Sequence, residues 1–333
     1  MRFPFGTNAK CTMAGNQWRN IVRSTVFVAA AIIAAPAGHQ ALAAYSFVSV
    51  NDPSATVSTV ANGINDAGVI VGDYVDAAGT HGFTDTANSF TSLDAPGAIA
   101  TVENGINTAN TVVGSYTDAA GGEHGFTLAG PAFASFDAPF SGATGATYAT
   151  GINQAGATVG YFFDTASVSH GFLNNGGYTQ IDVPSATATV TIGVNAVGTT
   201  VGYFVDASGA THGFIRTAGG TALQLDDPAG TNGTFATGIN DLGEITGYYV
   251  DASNVTHGFV LSGGTYLTID APGALAFTEV NGVNNLGEIV GEDINALTGQ
   301  LQGFVATVPE PATLSVLGFS ALALLNARRR RAV

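Results

Sequence analysis

One short pattern recurs six times between Gly63 and Phe304, and it leaves few folds open to the chain. It is clearest at Gly238-Ile239-Asn240-Asp241-Leu242-Gly243-Glu244-Ile245-Thr246-Gly247-Tyr248-Tyr249-Val250-Asp251, then His257-Gly258-Phe259 and Leu267-Thr268-Ile269-Asp270-Ala271-Pro272. The anchor glycines are Gly63, Gly105, Gly151, Gly193, Gly238 and Gly282, spaced 42, 46, 42, 45 and 44 residues apart. Repeats of that period build solenoids or propellers, in which one unit cannot bury its apolar face alone.

Within a unit, apolar and polar residues alternate over short runs separated by turn residues, which is strand periodicity. In the fifth unit the pattern predicts strands over 234–239, 244–250, around His257-Gly258-Phe259, and over 265–269. Asn240 to Gly243 suits a type I turn between the first two strands. Asp270-Ala271-Pro272 ends the fourth, because proline cannot donate within a sheet. Four antiparallel strands per unit predict an all-β fold, a six-bladed β-propeller of four-stranded blades. Two positions are identical in every copy. One is a second-strand glycine (Gly72, Gly114, Gly160, Gly202, Gly247, Gly291), expected where the blades converge. The other is a first-strand threonine (Thr59, Thr101, Thr147, Thr189, Thr234, Thr278), expected to pack and hydrogen-bond between blades.

The last unit reaches Pro309 without a fourth strand. Tyr45 to Pro53 matches the fourth-strand segment Phe90 to Pro96 of the first unit. The N-terminal strand is therefore expected to complete the last blade and leave no open edge. A β-solenoid is the alternative, but it gives no reason for a spare strand at the front.

Charge is unevenly placed. Of the nine basic residues only Arg216 lies within 44–308, against 23 acids, a formal net charge of −22 for that segment. Such a surface repels nucleic acid, whose binding needs Lys and Arg, so nucleic-acid binding is excluded. The N-terminus reads as an export signal over 1–43: basic residues up to Arg23, an apolar run from Val26 to Ala35, and Ala41-Leu42-Ala43 as a cleavage site. Cys11 and Trp18 leave with it, so the mature chain has no thiol and no disulfide.

Residues 308–333 carry Pro309-Glu310-Pro311, an apolar segment from Ala312 to Leu325, and Arg328-Arg329-Arg330-Arg331. Fourteen apolar residues fall short of the ~20 of a normal spanning helix. With arginines on the cytoplasmic side they fit transient retention in the inner membrane. The segment resembles the PEP-CTERM sorting signal. That resemblance implies an exosortase-type processing protease as partner and delivery to the cell surface or extracellular matrix of a Gram-negative bacterium. The repeat over 47–304 resembles the HAF-type extracellular repeat, through Gly-Ile-Asn-x-x-Gly, Val-Gly-x-Tyr and His-Gly-Phe. That resemblance brings no established enzymatic activity with it.

Sorting positions by the face on which they emerge brings one aspartate, one histidine and a second aspartate together in five units. These are Asp76, His81 and Asp94; Asp118, His124 and Asp137; Asp164, His170 and Asp182; Asp206, His212 and Asp226; and Asp251, His257 and Asp270. The sixth unit has Asn295, Gln302 and Asn51. Hydrogen bonds within each blade would hold the turn and fix the imidazole tautomer, a structural clasp that resembles the histidine–aspartate network of WD40-type blades. Five equivalent copies do not make a catalytic centre, and no dedicated metal site or cofactor is expected. Ten carboxylates on one face could still collect Ca²⁺ weakly.

The expected function is a non-enzymatic surface or matrix protein that binds exopolysaccharide or surface partners through propeller loops. One alternative is a polysaccharide lyase or glycoside hydrolase, with Glu103 and Glu279 as the carboxylates that depart from their units' pattern. The other is a Ca²⁺-bridged adhesin.

Overall fold

The computed structural model describes residues 45–308. The export signal over 1–43 and the sorting residues Pro309, Glu310, Pro311 and Arg328 to Arg331 lie outside the described residues.

The described chain is all β, with 24 strands and no helix. A first strand, β1 (Ser46–Val50), precedes six units. Unit one is β2 (Ser58–Ile64), β3 (Val69–Val75), β4 (Thr80–Thr86) and β5 (Ser89–Leu93); unit two is β6 (Ala100–Ile106), β7 (Thr111–Thr117), β8 (Glu123–Ala129) and β9 (Ala132–Phe136). Unit three is β10 (Ala143–Ile152), β11 (Thr158–Asp164), β12 (Ser169–Asn174) and β13 (Tyr178–Ile181); unit four is β14 (Ala188–Val194), β15 (Thr200–Val205), β16 (Thr211–Arg216) and β17 (Ala222–Leu225). Unit five is β18 (Thr234–Ile239), β19 (Ile245–Val250), β20 (Thr256–Ser262) and β21 (Thr265–Ile269). Unit six has β22 (Ala274–Val283), β23 (Ile289–Asn295) and β24 (Leu301–Thr307).

Strands pair antiparallel in sequence order within a unit, and β1 pairs antiparallel with β24 from Ser46↔Thr307 to Val50↔Gly303. All the sheets are open. Two have four strands, and two have eight because one parallel bridge, Thr80↔Ala100 or Thr256↔Phe277, joins neighbouring units.

Alternation along each strand decides what is buried. In His-Gly-Phe the phenylalanine enters the unit's interior; Phe83, Phe126, Phe172, Phe214, Phe259 and Phe304 are all essentially unexposed. The second-strand glycine lies under that ring. A Cβ on Gly160 would strike the Tyr148 carbonyl and stand 2.8 Å from the Phe172 ring, and the other five copies are equally filled. This close approach lies within one unit and not at the meeting of the six. The anchor glycines mark that meeting: a Cβ on Gly63 would lie 3.1 Å from Gly105 Cα, and one on Gly282 would lie 3.4 Å from Gly63 Cα. A β-bulge between the anchor glycine and the residue two positions before it, as at Ala61/Gly63, recurs in every unit.

Three sets of hydrogen bonds tie neighbouring units. The first-strand threonine accepts from a backbone N–H just past the preceding fourth strand: Ala95 to Thr101, Ala138 to Thr147, Val183 to Thr189, Asp227 to Thr234 and Ala271 to Thr278, at 2.9–3.1 Å. Asp52, just past β1, donates in the same way to Thr59. The turn asparagines form the second set. In the fifth unit Asn240 Oδ1 accepts from Leu242 and Glu244 N–H, while Gly243 at φ +83° closes the turn in the left-handed region. Each Nδ2 donates to the carbonyl of the next asparagine: Asn65 to Asn107, then Asn153, Asn195, Asn240, Asn284, and from Asn284 back to Asn65. Third, the residue before the anchor donates to the next unit, as Asn62 does to Glu103 O, Thr237 to Val280 O and Asn281 to Ala61 O.

Candidate functional site

Two regions collect polar chemistry: the rim of Asp and His, and a cavity on the inner side of the first two strands of every unit.

At the rim, each of the five imidazoles lies between two carboxylates. Nδ1 is 2.8–3.0 Å from the fourth-strand aspartate (Asp94, Asp137, Asp182, Asp226, Asp270). Nε2 is 3.4–3.7 Å from the turn aspartate (Asp76, Asp118, Asp164, Asp206, Asp251). The turn aspartate also accepts backbone N–H groups of its own loop, for example from Ala166 and Val168 to Asp164 Oδ1. Those bonds hold Asp76, Asp118, Asp164 and Asp251 below the usual carboxylate range; Asp206, which also accepts from Ser208 Oγ, falls to about 2. The bond to Asp94 raises the His81 pKa, and the bond to Asp137 raises that of His124.

Each imidazole packs on an aromatic ring 5.1–5.3 Å away, from Tyr74, Tyr116, Phe162, Phe204 or Tyr249. The tyrosines among these bond to Ser92, Ser135 or Thr268. Where phenylalanine stands instead, Gln180 or Gln224 fills the partner position and donates to Asp182 or Asp226. The sixth unit corrects the expectation from sequence. Asn295 Nδ2 donates to Gln302 Oε1, but Gln302 Nε2 donates to Asp293, a buried carboxylate at the aromatic ring's position; Asn51 is exposed and outside the set. The charge is moved inward and not lost.

The cavity holds about 740 Å³. Its chemistry comes mainly from one cross-strand pair per unit, facing residues on the first and second strands: Val60/Asp73, Val102/Ser115, Tyr148/Tyr161, Val190/Tyr203, Phe235/Tyr248 and Glu279/Glu292. All of these except Phe235 line it, and Glu123 of the second unit lines it with them. Facing Cβ atoms in such pairs are ~5 Å apart, so the side chains of a pair interact directly. Units one and six make an acidic side; units three to five make an aromatic side. Tyr148 stacks on Tyr161 at 4.7 Å and Phe235 on Tyr248 at 4.6 Å, while Tyr203 meets Phe235 edge-on.

Burial dominates the carboxylates on the acidic side. It pushes Asp73 up to about 6, against a bond from Asn62, and Glu279 up to about 7. Glu292, buried beside Glu279 and Asp73, is raised well above the ordinary value, and its Oε2 has no hydrogen-bond partner among the described residues. Two facing carboxyl groups in such a place resist ionising together.

Glu279, a candidate from the sequence, therefore sits in this cavity. Glu103 does not. It is fully buried at the seam between units one and two, accepts from Thr84 at 3.2 Å, and is pushed up to about 8 by burial. Asp73, Glu292 and the tyrosines were missed. The available signal was irregularity: these positions break the repeat while their neighbours keep it. Among the described residues, no group of three or more His, Cys, Asp or Glu is placed to hold a metal ion.

Residues 307–331 match the PEP-CTERM protein-sorting motif. The motif implies export, a cell-surface or extracellular destination, and processing by an exosortase; it covers the sorting segment alone. No curated protein matches the chain. Similar solved structures include AofleA from Arthrobotrys oligospora (12% identity, 80% of this chain and 93% of that one, TM-score 0.48). A gluconolactonase from Xanthomonas campestris is similar at 11% identity (80% and 90%, TM-score 0.48). A six-bladed β-propeller lectin with fucose recognition from Aleuria aurantia is similar at 11% (76% and 91%, TM-score 0.46). Likenesses this distant carry no activity or ligand over to this chain.

Proposed function

We propose that the chain is a non-enzymatic surface or extracellular-matrix protein that binds its ligand, an exopolysaccharide or a surface partner, in the central channel of a closed six-bladed propeller. The observation that carries this reading is the ring of cross-strand pairs. It is the inward-facing set whose chemistry differs most from unit to unit, whereas the threonine and asparagine bonds that join the units are repeated. Closure is supported by the β1–β24 pairing and by the asparagine bonds that return from Asn284 to Asn65. In this reading the Asp/His sets are structural clasps, residues 44–307 form one domain of HAF-type repeats, 1–43 are removed on export, and 308–333 hold the chain at the inner membrane until it is sorted.

The test is retention of the secreted 44–308 domain on matrix polysaccharide or a glycan array. Tyr161→Ala, in the channel, should lose binding, while His170→Ala, on the rim, should keep it. The opposite pattern would move the site to the loops. Binding gained only with millimolar Ca²⁺, with a thermal shift, would favour the Ca²⁺-bridged adhesin.

A second reading, a polysaccharide lyase or glycoside hydrolase, is favoured by one observation. Glu279 and Glu292 face each other with raised pKa values, so one can hold a proton while the other is ionised. Turnover of a glycan panel, abolished in Glu279→Gln and Glu292→Gln, would establish it.

A further inference from the structure

We infer that the channel selects a ligand carrying an organic ammonium group, held between the Glu279/Glu292/Asp73 side and the tyrosine side; this rests on the channel being the binding site.

The first ground is charge without a countercharge. Four carboxyl groups, Asp73, Glu123, Glu279 and Glu292, line one cavity, and no Lys, Arg or His among the described residues lines it with them. Arg216 is the one basic residue other than histidine in 45–308, and it is not in the lining; the five histidines of that segment are engaged at the rim. An anionic ligand such as a uronate or a phosphate would meet like charge and no donor cation. A cation would supply what the cluster lacks and would favour the ionised carboxylates that burial now disfavours.

A second, independent ground is unfinished hydrogen bonding. Glu292 Oε2 has no hydrogen-bond partner among the described residues, and an unmet buried acceptor is destabilising. A ligand donor or a polarised N–CH₃ group is the kind of group that would meet it.

The third ground is the opposite wall. Tyr148, Tyr161, Tyr203 and Tyr248 present π systems across the same cavity, and an ammonium group within ~6 Å of a ring centroid is attracted by its quadrupole. Glu279 lies close enough to raise the pKa values of Tyr203 and Tyr248, which puts carboxylate and rings around one space. A neutral sugar would use the rings but leave the acidic side uncompensated. Carboxylates and aromatic rings around one cavity fit an ammonium better.

The test uses the secreted 44–308 domain and two isosteres, choline and 3,3-dimethylbutan-1-ol, which differ in a single charged atom. Choline does not titrate, and tyrosine emission reports directly because this domain has no tryptophan. Choline should bind at least tenfold more tightly than the alcohol. Glu279→Gln and Glu292→Gln, near in shape and each checked for an intact thermal transition, should erase that preference. Tyr161→Phe should keep it, and Tyr161→Ala should weaken both ligands. A glucosamine tetramer that binds more tightly than its N-acetylated form would place the ammonium on a polymer; choline binding without that difference would place it on a small molecule. Equal binding of the two isosteres, lost in Tyr161→Ala, would overturn the ammonium inference and leave the channel reading standing. If choline, the alcohol and both tetramers all fail to bind, and matrix polysaccharide is retained without regard to Tyr161, both fall.

Discussion

The rim and the channel use the same six-fold scaffold in opposite ways. At the rim the histidine–aspartate set is copied five times with small compensated changes, Tyr with Ser or Thr, Phe with Gln. In the channel no two units carry the same cross-strand pair. Repetition follows from a mechanical requirement common to every unit, such as keeping a turn shut or a seam packed. Divergence at one register, on strands whose threonine and glycine positions never change, points to a ligand that is not six-fold symmetric. If that contrast is right, substitutions in repeated sets should cost stability alike in any unit, and substitutions in the channel should change binding and pH response with little loss of fold.

The strongest challenge to the repeated scaffold is Gly160→Ala. Its new methyl has no room between the Tyr148 carbonyl and the Phe172 ring, and backbone cannot give way there without opening the bulge. We expect about 3 kcal/mol or more of destabilisation, visible as a lowered thermal midpoint or loss of soluble protein. Gly202→Ala should behave the same way. A mild effect at either would mean that the close approach is not needed.

Next in size is the asparagine belt. Asn153 accepts from Ala155 and Ala157 N–H and donates to Asn195 O. Asn153→Ala removes all three bonds from a buried turn and should cost about 2–3 kcal/mol by urea unfolding. Asn153→Asp keeps the acceptor but loses the donor to the next unit, so it separates turn from belt. A loss confined to the turn would show as Asp behaving like the native residue.

Much of this architecture was legible in the chain. The period, the four strands of unit five and the spare N-terminal strand follow from turn residues and alternation, which are local. The inter-unit role of Asn240 was not legible, because a turn asparagine looks the same whether or not its Nδ2 reaches a neighbour 44 residues away. Glu103 and Glu279 looked equivalent as acids that break a first-strand pattern, yet they are one register step apart. In a strand that step turns one into the seam and the other into the channel. Asp293 was invisible for another reason. Its role depends on Gln302 across the sheet, a pairing that only the register reveals.

The pH response separates the two regions. Asp73, Glu279 and Glu103 have folded pKa values raised to about 6, 7 and 8, so the folded state holds protons that the unfolded chain releases. Stability should therefore fall as pH rises from the unfolded carboxylate range near 4 through those values. The turn aspartates act in the other sense, since their lowered pKa values give stability above that range that is lost in acid. The thermal midpoint should peak at about pH 5 and decline towards pH 8. Glu279→Gln should flatten the alkaline decline, gaining on the order of 2 kcal/mol at pH 9 with little change at pH 5. An unchanged profile would mean that Glu279 is more solvated than its place in the channel implies.

The smallest effect belongs to a single clasp. His124 is partly exposed, and its pairs with Asp118 and Asp137 are screened by solvent, so His124→Ala should cost no more than about 1 kcal/mol. Its pH signature is more informative than its size. The raised His124 pKa means that the contribution is complete below about pH 6.5 and disappears as pH rises through the folded value. Measured by thermal melts at pH 5.5 and pH 9, the variant should lose stability at the first and differ little from the native domain at the second. Because the same set recurs around the rim, His81→Ala should reproduce that result, and neither variant should alter ligand binding. A clasp variant that left stability untouched at both pH values but weakened binding would erase the distinction between a repeated mechanical rim and a differentiated channel.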